Sequence, residues 1–258
     1  MLSAVPTRST PPLKPSLQEQ LLAIMDRKHH PAWPRFTEPG LTKEQLAVHF
    51  RHEYLTYVRD FPVLLARLLG QSPPSDVRAA LAENIFEEQT GKLSLGVSHP
   101  ELFLEMIDGL QIPRSSIERG PLTPEAVAYR AFLDEVSFST PWVVGAAVLT
   151  IFVEGSVHER AELSGTREVL PVDEAVFAHP MVKHYGCPPE KLRLIRAHRA
   201  VESGHRKDAW QMVSTHAQGH ENVIVRAVSQ ALQAWLKYRD GVVRAMDAAP
   251  VNVSIVAA

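Results

Sequence analysis

The chain has 258 residues, of which 45% are apolar, and a formal net charge of -2. A near-neutral balance with scattered basic residues removes the electrostatic case for a nucleic-acid partner or an anionic membrane surface. Its one cysteine, Cys187, excludes an internal disulfide framework and a thiolate metal cluster, and predicts a cytoplasmic protein.

Read in chain order, residues 1–15 are rich in Pro, Ser and Thr and lack the apolar stretch of a signal peptide. They are expected to form a flexible arm before one helical domain over 16–247, with an apolar tail at 248–258. Ser16 with Glu19 and Thr42 with Gln45 fit capping boxes. Thr123-Pro124 fits an N-cap with proline at the first helical position. Pro188-Pro189 can start a helix, and Gly219 separates it from the last one. Between these marks the periodicity predicts helices near 16–30, 42–69, 75–90, 99–110, 123–138, 141–162, 189–217 and 220–246. Loops are expected at 31–41, 91–98, 111–122 and 163–188. The fold class is therefore all-α, a bundle of about seven to eight helices. The longest apolar run, Trp142 to Val153, falls short of the roughly 20 residues that span a bilayer.

Several polar residues interrupt apolar faces. On the helix after Pro189, His198, Glu202 and His205 share a face with Leu194, Val201, Ala209 and Met212. Burying two imidazoles and a carboxylate is costly unless they are paired. A metal would satisfy all three, and this N,O set suits iron; a buried hydrogen-bond network is the alternative. Over 75–90, Val77, Leu81, Ile85 and Glu88 share one face, while Glu83 and Glu87 point away and read as solvated charges. His99 heads the stripe of Leu102, Phe103, Met106 and Leu110, where a capping or core role competes with ligation. Glu154 ends the run Trp142–Val153, which is apolar on all sides and so reads as a buried helix. Together these positions give three glutamates and three histidines on four helices, the inventory of a carboxylate-bridged di-iron centre inside a bundle. Cys187 reads as a packing or capping residue in a loop away from the core. Most of His52, His158, His179 and His184 read as surface or loop histidines.

The stretch Glu83-Asn84-Ile85-Phe86-Glu87-Glu88, followed by His99-Pro100-Glu101-Leu102-Phe103, Val153-Glu154-Gly155 and His198-x-x-x-Glu202-x-x-His205, resembles the heme-oxygenase-like di-iron oxidases and oxygenases. Relatives of that family include the pyrroloquinoline-quinone synthase and thiaminase folds. Tyr57-Val58-Arg59-Asp60-Phe61-Pro62 is similar to a segment upstream in the same family, and the resemblance spans roughly 45–215. It implies a heme-oxygenase-like bundle with Glu88, His99, Glu154, His198, Glu202 and His205 as ligands to two Fe(II) ions. The family usually has aspartate where Glu202 stands, which bears on the geometry of the second iron.

The expected activity is that of an iron-dependent oxidoreductase using O2 on a small organic substrate of fatty-acid, amino-acid or amine type. It would need an external reductant, which the sequence does not name. Tyr54, Tyr57, Phe61 and Trp142 are the aromatic candidates for a substrate pocket. No nucleic acid or membrane partner is expected, and a homodimer is compatible with the sequence. Two alternatives stand beside this reading. One is a metal-free oxidase of the pyrroloquinoline-quinone-synthase type, and the other a helical structural or interaction protein.

Overall fold

Short polar caps and prolines set where the helices start. In the computed structural model, which describes residues 15–250 with the side chains of 201–205 left out, Ser16 Oγ accepts the Glu19 N–H and opens α1 (Leu17–Met25). Pro34 lies in the first turn of α2 (Trp33–Thr37). Thr42 and Gln45 exchange both bonds of a capping box at the start of α3 (Lys43–Glu53). The chain then passes through a widened π turn, Tyr54–Val58, into α4 (Phe61–Gly70), α5 (Ser75–Thr90), α6 (His99–Gly109) and α7 (Ser115–Glu118). Thr123 caps α8 (Pro124–Phe138). Next come α9 (Trp142–Ala146), which continues as a second π stretch over Ala147–Val153, then α10 (Glu159–Leu163), α11 (Val172–Ala178) and α12 (Pro180–Tyr185). A 3-10 turn at Pro189–Lys191 precedes α13 (Arg193–His216), and α14 (Glu221–Asp247) closes the fold.

The described residues are thus all-helical, as expected, with fourteen α-helices rather than seven or eight. The difference is punctuation. The expected helix 42–69 is broken at Arg59–Asp60, because Pro62 has no N–H to continue the ladder. The expected helix 16–30 stops at Met25, ahead of Pro31. The expected loops at 31–41, 111–122 and 163–188 hold α2, α7, α11 and α12. Pro180 starts α12, and Gly186, at φ +68°, ends it. Pro188-Pro189 yields only the short 3-10 turn. The expected arm (all but Pro15) and the tail beyond Pro250 lie outside the described residues. Among the described residues, no helix is long and apolar enough to cross a membrane.

The larger core joins α1, α4, α5, α8, α9 with its π extension, α13 and α14. Every residue from Val143 to Phe152 is buried, as its composition required. A second core packs α3, α6, α11 and α12. Cys187 lies inside it, which corrects the expectation of a peripheral loop. Burial pushes its thiol up to about 11, so it stays protonated. His52 is buried too. It accepts the Thr123 N–H at Nε2 and so ties α3 to the start of α8. His179 caps α12.

One charged cluster is sealed where α3 meets α14. The Glu53 carboxylate accepts from both terminal nitrogens of Arg239 and from the hydroxyls of Tyr57 and Tyr238. Burial would raise the Glu53 carboxyl, but Arg239 and its other partners outweigh this and hold it below the usual range. His49 packs one turn away, stacked on Phe36 with ring centroids 4.6 Å apart.

Burial pulls His49 down from 6.5 to about 4, with Glu53 opposing and Arg239 adding to the effect. Between those two values the unfolded chain holds a proton there and the folded chain does not. This contribution is therefore fully present above about pH 6.5 and is lost as the pH falls toward 4. Urea midpoints measured across that window should drop less steeply in His49→Phe than in the unsubstituted protein. Equal slopes would show that another group titrates.

Candidate metal centre

Four helices carry the site. On α5, Asn84 is buried and Glu88 half-buried, one turn apart on the face that continues Val77 and Leu81. Gly91, at φ +62°, ends the helix and turns the chain back over it, a conformation in which a side chain would collide with Val97. That reversal brings Leu93 N–H to Glu87 at 2.8 Å and the Ser94 hydroxyl onto the same carboxylate. Glu87 is consequently fully buried, which corrects the reading of it as a solvated charge. Helical periodicity could not register that a following loop covers a second face of α5.

His99, at the start of α6, is held between two carboxylates. Its Nε2 lies 3.2 Å from Glu87 Oε1 and its Nδ1 2.8 Å from Glu88 Oε1. Burial alone would lower the imidazole; Glu88 and then Glu87 outweigh it and raise it. Burial would raise Glu87, but Ser94, Leu93 and His99 hold it below the usual carboxylate range. The His198 ring on α13 packs edge-on against His99 with centroids 5.0 Å apart.

Glu154 arrives through the second π stretch. Its N–H reaches back five residues to Leu149 O at 3.3 Å, which widens the helix where the carboxylate emerges. Asn84 Nδ2 donates to Glu154 Oε1 at 3.0 Å, joining α5 to this helix end. Lys28, just past α1, donates to the carbonyls of Phe152 (2.5 Å), Val153 (3.2 Å) and Gly155 (2.6 Å), on both sides of Glu154. Burial draws this ammonium down to about 7, with Arg239 and Arg206 adding to the shift. Gly155 has no room for a Cβ, which would collide with Ile151 O and with the buried Glu159–Arg206 ion pair.

The expected ligands thus divide into groups. Glu88, His99 and His198 come together, and Glu154 is tied to the same helix α5 through Asn84. The side chains of Glu202 and His205 lie outside the described residues. Among the described residues, no three His, Cys, Asp or Glu side chains converge closely enough to hold a metal by themselves. The donor chemistry nevertheless fits a cation. The His99 ring is buried, and its Nδ1 and Glu88 Oε1 face one another. Bonds of about 2.1 Å from an imidazole nitrogen and a carboxylate oxygen to one ion would set neighbouring donors about 3 Å apart, close to the observed 2.8 Å.

Beside Glu154 lies a cavity of about 250 Å³ between α1, α8 and α14. Its walls include Tyr57, Tyr129, Trp33 and Trp235, with Lys28 and Arg239 between them. Of the aromatic residues considered from sequence, Tyr57 lines this cavity. Tyr54 stacks on Phe103 in the second core, Phe61 is buried in the first, and Trp142 packs on His216.

The family model for iron-containing redox enzymes matches residues 48–237, and the chain belongs to that family. Among solved structures it is similar to a TenA homolog from Pseudomonas syringae pv. tomato, with a TM-score of 0.66 at 14% identity over 89% of this chain and 93% of that one. It is likewise similar to a domain of unknown function with a heme oxygenase-like fold from Shewanella denitrificans, with a TM-score of 0.63 at 16% identity over 90% and 92%. No curated protein sequence matches. The bundle therefore has a heme oxygenase-like fold.

Removing the Glu87 carboxylate strands an amide N–H, a hydroxyl and an imidazole together. Glu87→Ala should lower the unfolding free energy in urea by about 1–3 kcal/mol. The exposed Glu83→Ala should change it by less than about 0.5 kcal/mol. Equal effects would return Glu87 to the surface.

Proposed function

We propose that this chain is a non-heme iron oxidase or oxygenase that activates dioxygen on a small organic substrate, with two Fe(II) ions held by Glu88, His99, Glu154, His198, Glu202 and His205. The observation that carries this reading is the buried His99 ring, with one nitrogen on Glu87, the other 2.8 Å from Glu88 Oε1, and His198 packed against it. Membership of the iron-containing redox family supports iron over other cations.

The chain's own residues prepare the site. With its ring proton on Nε2, neutral His99 donates to Glu87 and leaves the Nδ1 lone pair for a ligand bond. Asn84 fixes one oxygen of Glu154, and Lys28 fixes the backbone on either side of it. Iron bound there would supply the one-electron steps that dioxygen chemistry needs. The adjacent cavity of about 250 Å³ sets the substrate's size, below the roughly 300–1,000 Å³ typical of drug-sized ligands. Its aromatic walls favour an apolar body. Tyr57 and Tyr238 keep their protons, because burial and the Glu53 charge raise both phenols well above their ordinary values.

One observation favours a second reading: Glu87, His99 and Glu88 already bond one another, as a purely structural network would. The two readings differ in iron content. After anaerobic ferrous loading and desalting, elemental analysis should give about two irons per chain. Glu88→Ala and His198→Ala should lose iron while retaining helical circular dichroism. Glu87→Gln should weaken iron binding by about 10–100-fold. Full iron in Glu88→Ala, or none in the unsubstituted protein with or without added substrates, would reject the assignment.

A further inference from the structure

A second recess lies on the other side of the Glu154–Gly155 turn from the aromatic cavity and shares no lining residue with it. This groove of about 530 Å³ runs between α10, the chain that follows it and α13. Its charged lining is Arg167, Arg199, Arg206 and Lys207 against Glu159 and Glu162. Both carboxylates are already engaged. Glu159 accepts from Arg206 Nε at 2.7 Å, and Glu162 is paired with Arg167. Arg199 and Lys207 have no ion pair among the described residues, so the described lining carries two cations in excess. Nη1 of Arg206 is buried without an acceptor. Two apolar residues, Leu163 and Val169, complete the lining and are 38% and 55% exposed.

We propose that this groove binds a small amphiphilic organic anion. Its carboxylate or phosphate sits on Arg199 and Lys207, with Arg206 at the closed end, and its apolar part lies on Leu163 and Val169. Unpaired cations at the rim attract an anion, the stranded guanidinium nitrogen gains an acceptor, and the exposed apolar side chains are covered. The groove adjoins the Glu154–Gly155 turn, but none of its named lining residues is a proposed iron ligand.

Isothermal titration of the full chain at low salt, with octanoate, octyl phosphate and octyltrimethylammonium as probes, tests this. At least one of the two anions should bind and the cation should not, and the tighter anion identifies the headgroup class. Substituting Arg199→Gln and Lys207→Gln together should weaken the anion about tenfold, and added salt should weaken it in the unsubstituted protein. Failure of both anions to bind, equal binding of octyltrimethylammonium, or unchanged affinity in the double variant would overturn the proposal. Both side chains reach the surface of α13, so the double variant should fold, and circular dichroism checks this. Arg199→Gln alone provides a second, milder test. Iron content measured on the same samples separates the two claims. Loss of iron from the unsubstituted protein with anion binding intact would reject the preceding function and leave the groove standing.

Discussion

A helix buried on every side leaves its last carbonyl groups with no water to bond. In this bundle a single ammonium group meets that need. Lys28 places its three protons on the carbonyls of Phe152, Val153 and Gly155, where the helix through Ala147–Val153 ends inside the core. The same ammonium lies 4.8 Å from the Phe152 ring centroid, so the apolar neighbour also contributes to holding the charge. Everything on the Glu154 side of the site follows from this anchor. The π widening before Glu154 directs its carboxylate toward Asn84, and Gly155 lets the buried Arg206–Glu159 pair close in from the other side. A longer side chain at 155 or a shorter one at 28 would disturb both approaches to the same turn.

Two buried carboxylates among the described residues are each matched by an arginine. Glu53 is matched by Arg239 and two phenols, and Glu159 by Arg206. Around His99 the proportions differ. Two carboxylates, Glu87 and Glu88, face one imidazole, with the His198 ring packed beside it. Two carboxylates gathered on one imidazole repel one another in a low-dielectric interior. The same set is stabilised when a cation enters. That contrast among three buried clusters of one molecule is a physical reason for proposing a metal near His99.

The sequence disclosed the long elements and the inward faces well. The bounds of Ser75–Thr90 follow from its periodicity, and the helix starts at His99 and Pro124 from the prolines and caps beside them. What it hid depended on chain that folds back from elsewhere. Glu87 falls off the apolar stripe of α5 and is buried only because Leu93 and Ser94 return over it. Cys187 is drawn into the core by α6, whose Met106 carbonyl lies 3.8 Å from its Sγ. Two contributors did leave a trace. Asn84 stands one turn from Glu88 on the same face as Leu81. Lys28 continues the 21, 25, 28 row of buried Leu21 and Met25. Arg206 and Glu159 left none, since nothing in their neighbours distinguishes them from solvated charges.

The separations along the chain impose an order of assembly. Glu87 and His99 are 12 positions apart and Glu87 and Ser94 only 7, so this half of the centre closes with one short loop. Asn84 meets Glu154 across 70 positions, and His198 must arrive from still further away. Short closures lose little chain entropy and long ones more. The early, local half is therefore a hairpin of carboxylates around one histidine, and the distal half waits on the packing of the whole bundle. A chain emerging from the ribosome would carry the first before it had made the second.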